Sequence, residues 1–225
     1  MENNIKHIAV IIDGNRRYAQ SRGLQTFKGH EAGADKIEEF LDWCEEAGIK
    51  EITIYALSTE NLKREKQELD YLFKLFKKFF KKIKEDKKIH EKKIGIRFIG
   101  DLSLVHEDIR ELAQELEKDT KDYNNHRINF CFAYGGRLEL INAFNRLKGK
   151  KGKITEQDIT NALWLSSEPD LIIRTGGKIR TSNFLPWQSV YSEWMFFDKM
   201  WPEFTKEDFN KAISNFSLIR RNFGK

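Results

Sequence analysis

Five short polar segments of this chain carry side chains able to act on an anionic ligand. They are Asp13-Gly14-Asn15-Arg16-Arg17, Ser58-Thr59-Glu60-Asn61, Gly100-Asp101, Tyr134-Gly135-Gly136-Arg137 and Arg174-Thr175-Gly176-Gly177. With His30 they offer carboxylates (Asp13, Glu60), an imidazole, amides (Asn15, Asn61), hydroxyls and arginines. Arg17, Arg64, Arg174 and Arg180 suffice to hold two diphosphate groups through charge-assisted hydrogen bonds. Backbone amides at Gly14-Asn15 and at the following helix start add anion donors. A lone carboxylate such as Asp13, facing phosphate oxygens, needs a cation between them, and Mg²⁺ is the usual bridge. Taken alone, the 13–17 segment is equally compatible with a surface turn of solvated charges. The surrounding elements must decide.

Each polar segment closes a short apolar run rich in β-branched residues, at 8–12, 52–57, 94–99, 128–133 and 171–173, with a further short segment at 195–197. Such runs, bounded by turn residues, read as strands buried on both faces. Between them lie helical patterns. Gly29-His30 leads into a helix with Ile37, Phe40, Leu41, Cys44 and Ala47 on one face, stopped by Gly48. Leu69, Leu72, Phe73, Phe76, Phe79, Phe80 and Ile83 mark a long helix whose other face, from Lys74 to Lys93, is nearly all lysine. Further helices carry Ile109 to Leu116 and residues 138–147, and two open with Thr155-x-x-Asp158 and Thr205-x-x-Asp208, the spacing of a capping box. Strands alternating with helices predict a single α/β domain over residues 1–225, built on a mostly parallel sheet covered on both faces. In such a sheet the strands' carboxyl ends share one edge, where ligands bind. Several polar strand ends on one edge make a site.

The chain has 225 residues, long enough to bury roughly 70% of its unfolded surface without disulfide or metal staples. Cys44 and Cys131 fall within a helix and a strand pattern and read as free, buried thiols of a reducing compartment. No apolar run of about 18 residues and no signal-peptide core occurs, which predicts a soluble, cytoplasmic protein. A net charge of +5, from 40 basic and 35 acidic residues, excludes a strongly basic nucleic-acid-binding composition. The sequence holds no GxxxxGK[ST], GxGxxG, HRD/DFG, GxSxG or HExxH motif, and no Asp-Asp-x-x-Asp run for a magnesium cluster. The phenylalanine stripe at 73–80 reads first as a core face, with part of it lining an apolar tunnel as the functional alternative. The lysine face opposite reads as solvated, with contact to anionic lipid headgroups as a weaker reading.

The segments HIAVIIDGNRRYA, GHEAG, YALSTENLKR, YGGR and IRTGGKIRTSNFLPWQSVYSEWMFFDKMWPEF resemble, in order and spacing across residues 7–204, the signature segments of the cis-prenyltransferases. The resemblance implies a homodimer whose subunit has a mostly parallel six-stranded sheet flanked by helices. It implies condensation of an allylic diphosphate, usually farnesyl diphosphate, with successive isopentenyl diphosphates. The product would be a long-chain polyprenyl diphosphate, undecaprenyl diphosphate for a cell-wall glycan carrier, with a shorter or longer cis-prenyl chain as the alternative. In this likeness Asp13 matches the essential aspartate engaging Mg²⁺ and diphosphate. Gly14, Asn15, Arg16, Arg17, Tyr18 and His30 match the allylic diphosphate site, and Ser58, Thr59, Glu60 and Asn61 the segment beside the reacting carbons. Asn61 matches the position assigned as proton acceptor or relay. Leu62, Arg64 and Glu68 match a loop that closes over substrate. Arg174, Arg180, Thr181 and Ser182 match the isopentenyl diphosphate site, and Glu193 a second magnesium-associated carboxylate.

The chain departs from the family pattern at Arg16 and Tyr18 (usually glycine and tryptophan), Leu62 and Glu65 (tryptophan and proline), Thr26 (often arginine) and Ala133 (commonly asparagine). Arg220 to Gly224 only approximates the family's basic tail. Two rivals remain: a non-catalytic scaffold subunit of the same fold, and a nucleic-acid-binding protein resting on the lysine run alone. Retention of Asp13, Asn61, Arg174, Arg180, Ser182 and Glu193 argues against the first, and the modest charge against the second. Peripheral membrane contact is expected where a long apolar product leaves.

Overall fold

The computed structural model of the chain describes residues 5–219. Six strands, β1 (His7–Ile11), β2 (Glu51–Ser58), β3 (Ile94–Ile99), β4 (His126–Tyr134), β5 (Leu171–Arg174) and β6 (Glu193–Phe196), form one sheet in the order β3-β4-β2-β1-β5-β6. Every neighbouring pair is parallel, so the expected mostly parallel sheet is wholly parallel. The inner strands are buried on both faces because successive side chains serve two different layers, whereas edge strand β6 is only half-buried. Ile8, Val10, Ile52, Ile54, Ile128, Phe130 and Ile173 join the larger core. Ala9, Ile11, Tyr55, Cys131 and Ile172 point to the other face and pack on Leu165, Phe184 and Leu185.

Helices α2 (Thr26–Glu46), α3 (Lys66–Glu85), α5 (Glu107–Thr120) and α8 (Lys206–Leu218) contribute Phe40, Phe80, Ile109 and Phe209 to the larger core. Between α3 and β3 lies the short α4 (Lys87–Glu91). Helices α6 (Gly136–Leu147) and α7 (Glu156–Ala162) pack together through Ala143, Ala162 and Leu163. Thr155 and Thr205 close full capping boxes with Asp158 and Asp208, as their spacing predicts. The outer amides of edge strand β3 do not face solvent unpaired. Ile96 N–H donates to Thr120 Oγ1 (3.0 Å) and Phe98 N–H to Glu117 Oε1 (2.7 Å), both from α5.

The aromatic face of α3 splits between its two expected roles. Phe73 and Phe80 are core residues, and Phe80 meets Phe98 and Phe132 edge-on, with centroids 4.8 and 5.5 Å apart. Leu72, Leu75, Phe76, Phe79 and Phe80 itself also line a cavity. The lysine run is not a free basic stripe. Lys77 pairs with Asp108 (2.5 Å), Lys82 with Glu38 (2.6 Å), Lys84 with Glu115 (2.6 Å) and Lys88 with Asp42 (3.3 Å). These exposed pairs are worth little individually, but they consume charge that nucleic acid or lipid would need.

Two expectations change. Asn15–Ser21 is a separate helix, α1, and α2 begins at Thr26, so Gly29 and His30 lie inside a helix instead of before one. The reason is a close crossing of α1 and α2. A Cβ on Gly29 would lie 2.0 Å from the Asn15 carbonyl oxygen, and one on Gly33 2.7 Å from the Asn15 side chain. Gly29→Ala therefore forces the helices apart. It is expected to cost about 2 kcal/mol, read as a fall in Tm of roughly 4–8 °C by thermal melt. An unchanged Tm would mean the crossing is slack.

Candidate active site

Four elements converge at the carboxyl edge of β1. Its last residues lead to Asp13 and then to Gly14, whose φ of +111° turns the chain into α1. The Asp13 backbone is pinned by its neighbours: its carbonyl accepts the Thr175 hydroxyl (2.8 Å) and the Trp201 N–H (3.0 Å). Trp201 in turn donates its indole N–H to Gly33 O (2.9 Å). The aspartate at the end of β1, the turn after β5, α2 and the turn before α8 are thus one rigid unit.

The side chain of Asp13 lies between two arginines. Oδ1 accepts from Arg17 (3.1 Å) and Oδ2 from Arg174 (2.9 Å). Arg174 is 3% exposed, and its other amino group donates to Ser182 Oγ (2.6 Å) and to the Arg180 carbonyl (2.5 Å). Arg17 also donates to Gly176 O (2.6 Å). One carboxylate therefore joins a cation from α1 to a cation from β5.

A second convergence lies across the mouth. Glu68 Oε1 on α3 is approached by Arg64 (3.1 Å), His30 Nε2 (3.2 Å) and Arg16 Nε (3.7 Å). Arg16, where the family pattern has glycine, thus ties α1 to α3. Burial holds the His30 imidazole below its ordinary pKa, assisted by Arg64 and Arg16 and opposed by Glu68. Burial likewise lowers the Arg64 guanidinium. Burial pushes Glu60 up, but hydrogen bonds from its own backbone and from Asn183, Ser58 and Thr59 outweigh it and hold the carboxyl below the usual range. Asn61 and Ser58 are locked reciprocally: Ser58 N–H donates to Asn61 Oδ1 and Asn61 N–H to Ser58 Oγ, both at 3.1 Å.

These groups rim a cavity of about 780 Å³. Its upper wall holds Asp13, Gly14, Asn15, Arg16, Arg17, His30, Ser58, Glu60, Asn61, Arg64, Arg174 and Ser182. Its lower wall is Leu72, Phe76, Phe79, Phe80 and Phe130, between α3 and the sheet. A polar, cationic mouth above an apolar shaft suits a ligand with a charged head and a hydrocarbon tail.

Several expected residues stand apart. Tyr18 lies under the Arg22 guanidinium (4.0 Å to the ring centroid) and does not line the cavity. Arg180 and Thr181 are exposed beside Ser182, and Arg180 enters the network through its carbonyl. Thr59 lies behind Glu60, to which its hydroxyl donates (3.4 Å), and Leu62 packs against the core. Glu193 is the clear displacement. It opens β6, level with Leu171 and hence with Ile8, at the opposite end of the sheet from Asp13. Five residues of strand rise, roughly 16 Å, separate the two levels. Within one chain Asp13 and Glu193 do not form a metal pair, because register, not sequence order, decides which end of a strand a residue occupies. Among the described residues no three His, Cys, Asp or Glu side chains converge as a metal site. The cavity's own hard ligands are the Asp13 and Glu60 carboxylates, a donor set that fits Mg²⁺ completed by phosphate oxygens and water. Asn183 also lines the cavity, and the sequence did not single it out. Arg220 to Gly224, which approximate the family's basic tail, lie outside the described residues.

A family model described as putative undecaprenyl diphosphate synthase matches residues 11–224. The chain is 42% identical to the tritrans,polycis-undecaprenyl-diphosphate synthase (geranylgeranyl-diphosphate specific) of Methanopyrus kandleri, over 98% of this chain and 84% of that protein. The protein of the same name from Pyrococcus furiosus is also 42% identical, over 98% of this chain and 87% of its own length. Among solved structures, lavandulyl diphosphate synthase from Lavandula x intermedia, in complex with dimethylallyl diphosphate, superposes with a TM-score of 0.92 at 29% identity, with both chains fully covered. A probable undecaprenyl diphosphate synthase from Campylobacter jejuni gives a TM-score of 0.84 at 34% identity, over 99% of this chain and all of that one. The chain belongs to the undecaprenyl diphosphate synthase family of cis-prenyltransferases, and its activity is cis-prenyl chain elongation.

Proposed function

We propose that the cavity holds two diphosphates side by side and that Asp13 stands between them. The observation carrying this is the Asp13 carboxylate shared by Arg17 and Arg174. The allylic diphosphate sits on Gly14 to Arg17, His30 and Arg64 with its tail in the shaft. Isopentenyl diphosphate sits on Arg174, Ser182 and the 180–182 loop. Asp13 and phosphate oxygens would hold Mg²⁺, which when bound stabilises charge on the departing diphosphate. The arginines add fixed positive charge at the same oxygens. The allylic C–O bond breaks, the isopentenyl double bond forms the new C–C bond, and one proton leaves. Asn61, rigid against Ser58, relays that proton toward the released diphosphate, the strongest base in the cleft. The products are a chain five carbons longer, inorganic diphosphate and a proton. Holding both substrates supplies much of the rate. Arg64 and Glu68 close the mouth.

For the starter, farnesyl diphosphate is the family's usual choice, whereas the relatives from Methanopyrus and Pyrococcus carry geranylgeranyl diphosphate in their names. The relatives' names favour the C20 starter. Steady-state kinetics with each starter and labelled isopentenyl diphosphate test this: geranylgeranyl diphosphate should show the higher kcat/KM, and a preference for farnesyl diphosphate would reverse the assignment.

A longer product, such as the undecaprenyl chain of a glycan carrier lipid, must pass the shaft's floor. Phe79 forms part of that floor and also lines a second cavity of about 140 Å³, between α2 and α4. Phe79→Ala joins the two spaces. Product mass spectrometry is expected to show a shift of one or more C5 units toward longer chains; an identical distribution would place the limit elsewhere.

The working unit we infer is a homodimer. Ile141 and Phe144 on α6, and Ile179, Val190 and Phe196 in the chain after β5, are 37–84% exposed, apolar surface that a partner subunit would cover. The free, buried Cys44 and Cys131 suit the reducing cytoplasm. No described helix is long and apolar enough to cross a membrane. Release of a long product calls for contact with the bilayer surface.

A further inference from the structure

The loop after β5 is held in an unusual shape. Ser182, Asn183 and Leu185 all have left-handed φ, at +51°, +63° and +48°. Asparagine tolerates that region better than other side chains, and here its amide is fully used. Asn183 Oδ1 accepts the Arg137 N–H (2.9 Å), and its backbone carbonyl accepts the Gly136 N–H (2.8 Å). Those are the first two amides of α6, whose own preceding residue, Gly135, supplies no side-chain cap. Asn183 thus caps α6 from 46 residues away. Its Nδ2 donates to Glu60 Oε1 (3.0 Å), beyond the end of β2. The paired glycines make room: a Cβ on Gly135 would lie 2.9 Å from Asn183 Nδ2, and one on Gly136 3.0 Å from its carbonyl oxygen.

We propose that Asn183 is a positioning residue for the condensation, locking the loop of Ser182 to Glu60 on the fixed end of α6 and so setting the isopentenyl diphosphate subsite. The proposal rests on the reading that the 180–182 loop receives that substrate. Ser182 is the next residue, and it takes the Arg174 hydrogen bond at 2.6 Å. Movement of the loop would therefore move Arg174 as well as the hydroxyl. Three strand ends (β2, β4 and β5) are joined by this one side chain and its carbonyl.

Asn183→Asp separates positioning from mere capping. Aspartate caps a helix as well as asparagine does, and its charge suits α6's N-terminus. Toward Glu60, however, it replaces a donor with a second carboxylate. The retained cap and the added charge at α6's N-terminus offset that carboxylate repulsion, so Tm should change little. KM for isopentenyl diphosphate should rise about tenfold, the loss of a charge-assisted hydrogen bond, with kcat and the allylic KM little changed. Asn183→Gly, which keeps the left-handed backbone and loses both side-chain bonds, should raise the same KM and lower Tm as well; it carries the test if the aspartate variant does not fold. Unchanged kinetics, or both KM values rising with a falling Tm, would overturn the proposal. A rise in the allylic KM alone would overturn the loop's substrate assignment, while absence of product from the unsubstituted protein would instead remove the parent reading.

Discussion

Asp13→Ala is expected to lower kcat by about 10²–10³-fold, the scale for loss of a dominant electrostatic stabiliser. KM for the two diphosphates should not rise, because the substitution frees Arg17 and Arg174, the two cations that Asp13 now engages. A fall in kcat without a rise in KM marks a group acting in the transition state. Stability should fall as well: Arg17 is 38% exposed and screened by solvent, but Arg174 is 3% exposed and loses its counter-ion, which costs about 3 kcal/mol or roughly 6–12 °C in Tm. Asp13→Asn, which keeps the shape and removes the charge, should behave similarly, and added Mg²⁺ should rescue neither. Unaltered kcat with a collapsed Tm would make Asp13 a structural counter-ion instead. Steady-state kinetics beside a thermal melt decide.

Arg174→Met is expected to fail differently. Arg174 is buried to 3% exposure and holds Asp13, Ser182 and the Arg180 carbonyl at once. Methionine fills much of its volume but donates nothing. Breaking a buried pair by removing one partner costs about 3 kcal/mol, which at this chain length lowers Tm by roughly 6–12 °C. If this arginine receives isopentenyl diphosphate, KM for that substrate should rise by about 10²-fold or more, and the allylic KM much less. Arg174→Lys should recover the charge but not the fork, restoring part of the stability and little of the KM. An equal rise in both KM values would assign Arg174 to the scaffold rather than to one substrate.

The strands and their polar ends were legible because both follow from local pattern. Apolar runs closed by glycine, asparagine or charged residues need no knowledge of distant chain, and a parallel sheet brings such ends to one edge. The same is true of the two capping boxes and of the α3 apolar stripe. What escaped is what depends on remote neighbours. Gly29 looks like the lead into a helix until α1 lies across it. Helix α1 itself is seven residues long, too short for a 3.6-residue period to declare itself. The lysine face is solvated as its pattern indicates, but its ion pairs were not legible because the acidic partners come from α2 and α5, two separate segments. Glu193 was grouped with Asp13 by family spacing, yet strand register carries it to the far end of the sheet.

Backbone conformation explains one departure and one omission. Ala133 stands where the family commonly has asparagine, and its φ is +50°, a conformation asparagine adopts at lower cost than alanine. The strain coincides with an irregularity between β2 and β4: Tyr55 faces Cys131 and Ser58 faces Tyr134 in one register, but Leu57 between them faces Phe132, which leaves Ala56 and Ala133 unmatched. Asn183 was overlooked for a related reason: its value lies in a left-handed φ and in three partners on two other segments, none visible from its neighbours in sequence.

The most direct test is incorporation of labelled isopentenyl diphosphate into butanol-extractable lipid by the purified protein, supplied with geranylgeranyl or farnesyl diphosphate and Mg²⁺. Mass analysis should find the starter extended by whole C5 units, with one inorganic diphosphate released per unit added. NMR of the added units should show cis double bonds, and EDTA should abolish incorporation. Absence of any extended product with either starter would contradict chain elongation by this cavity.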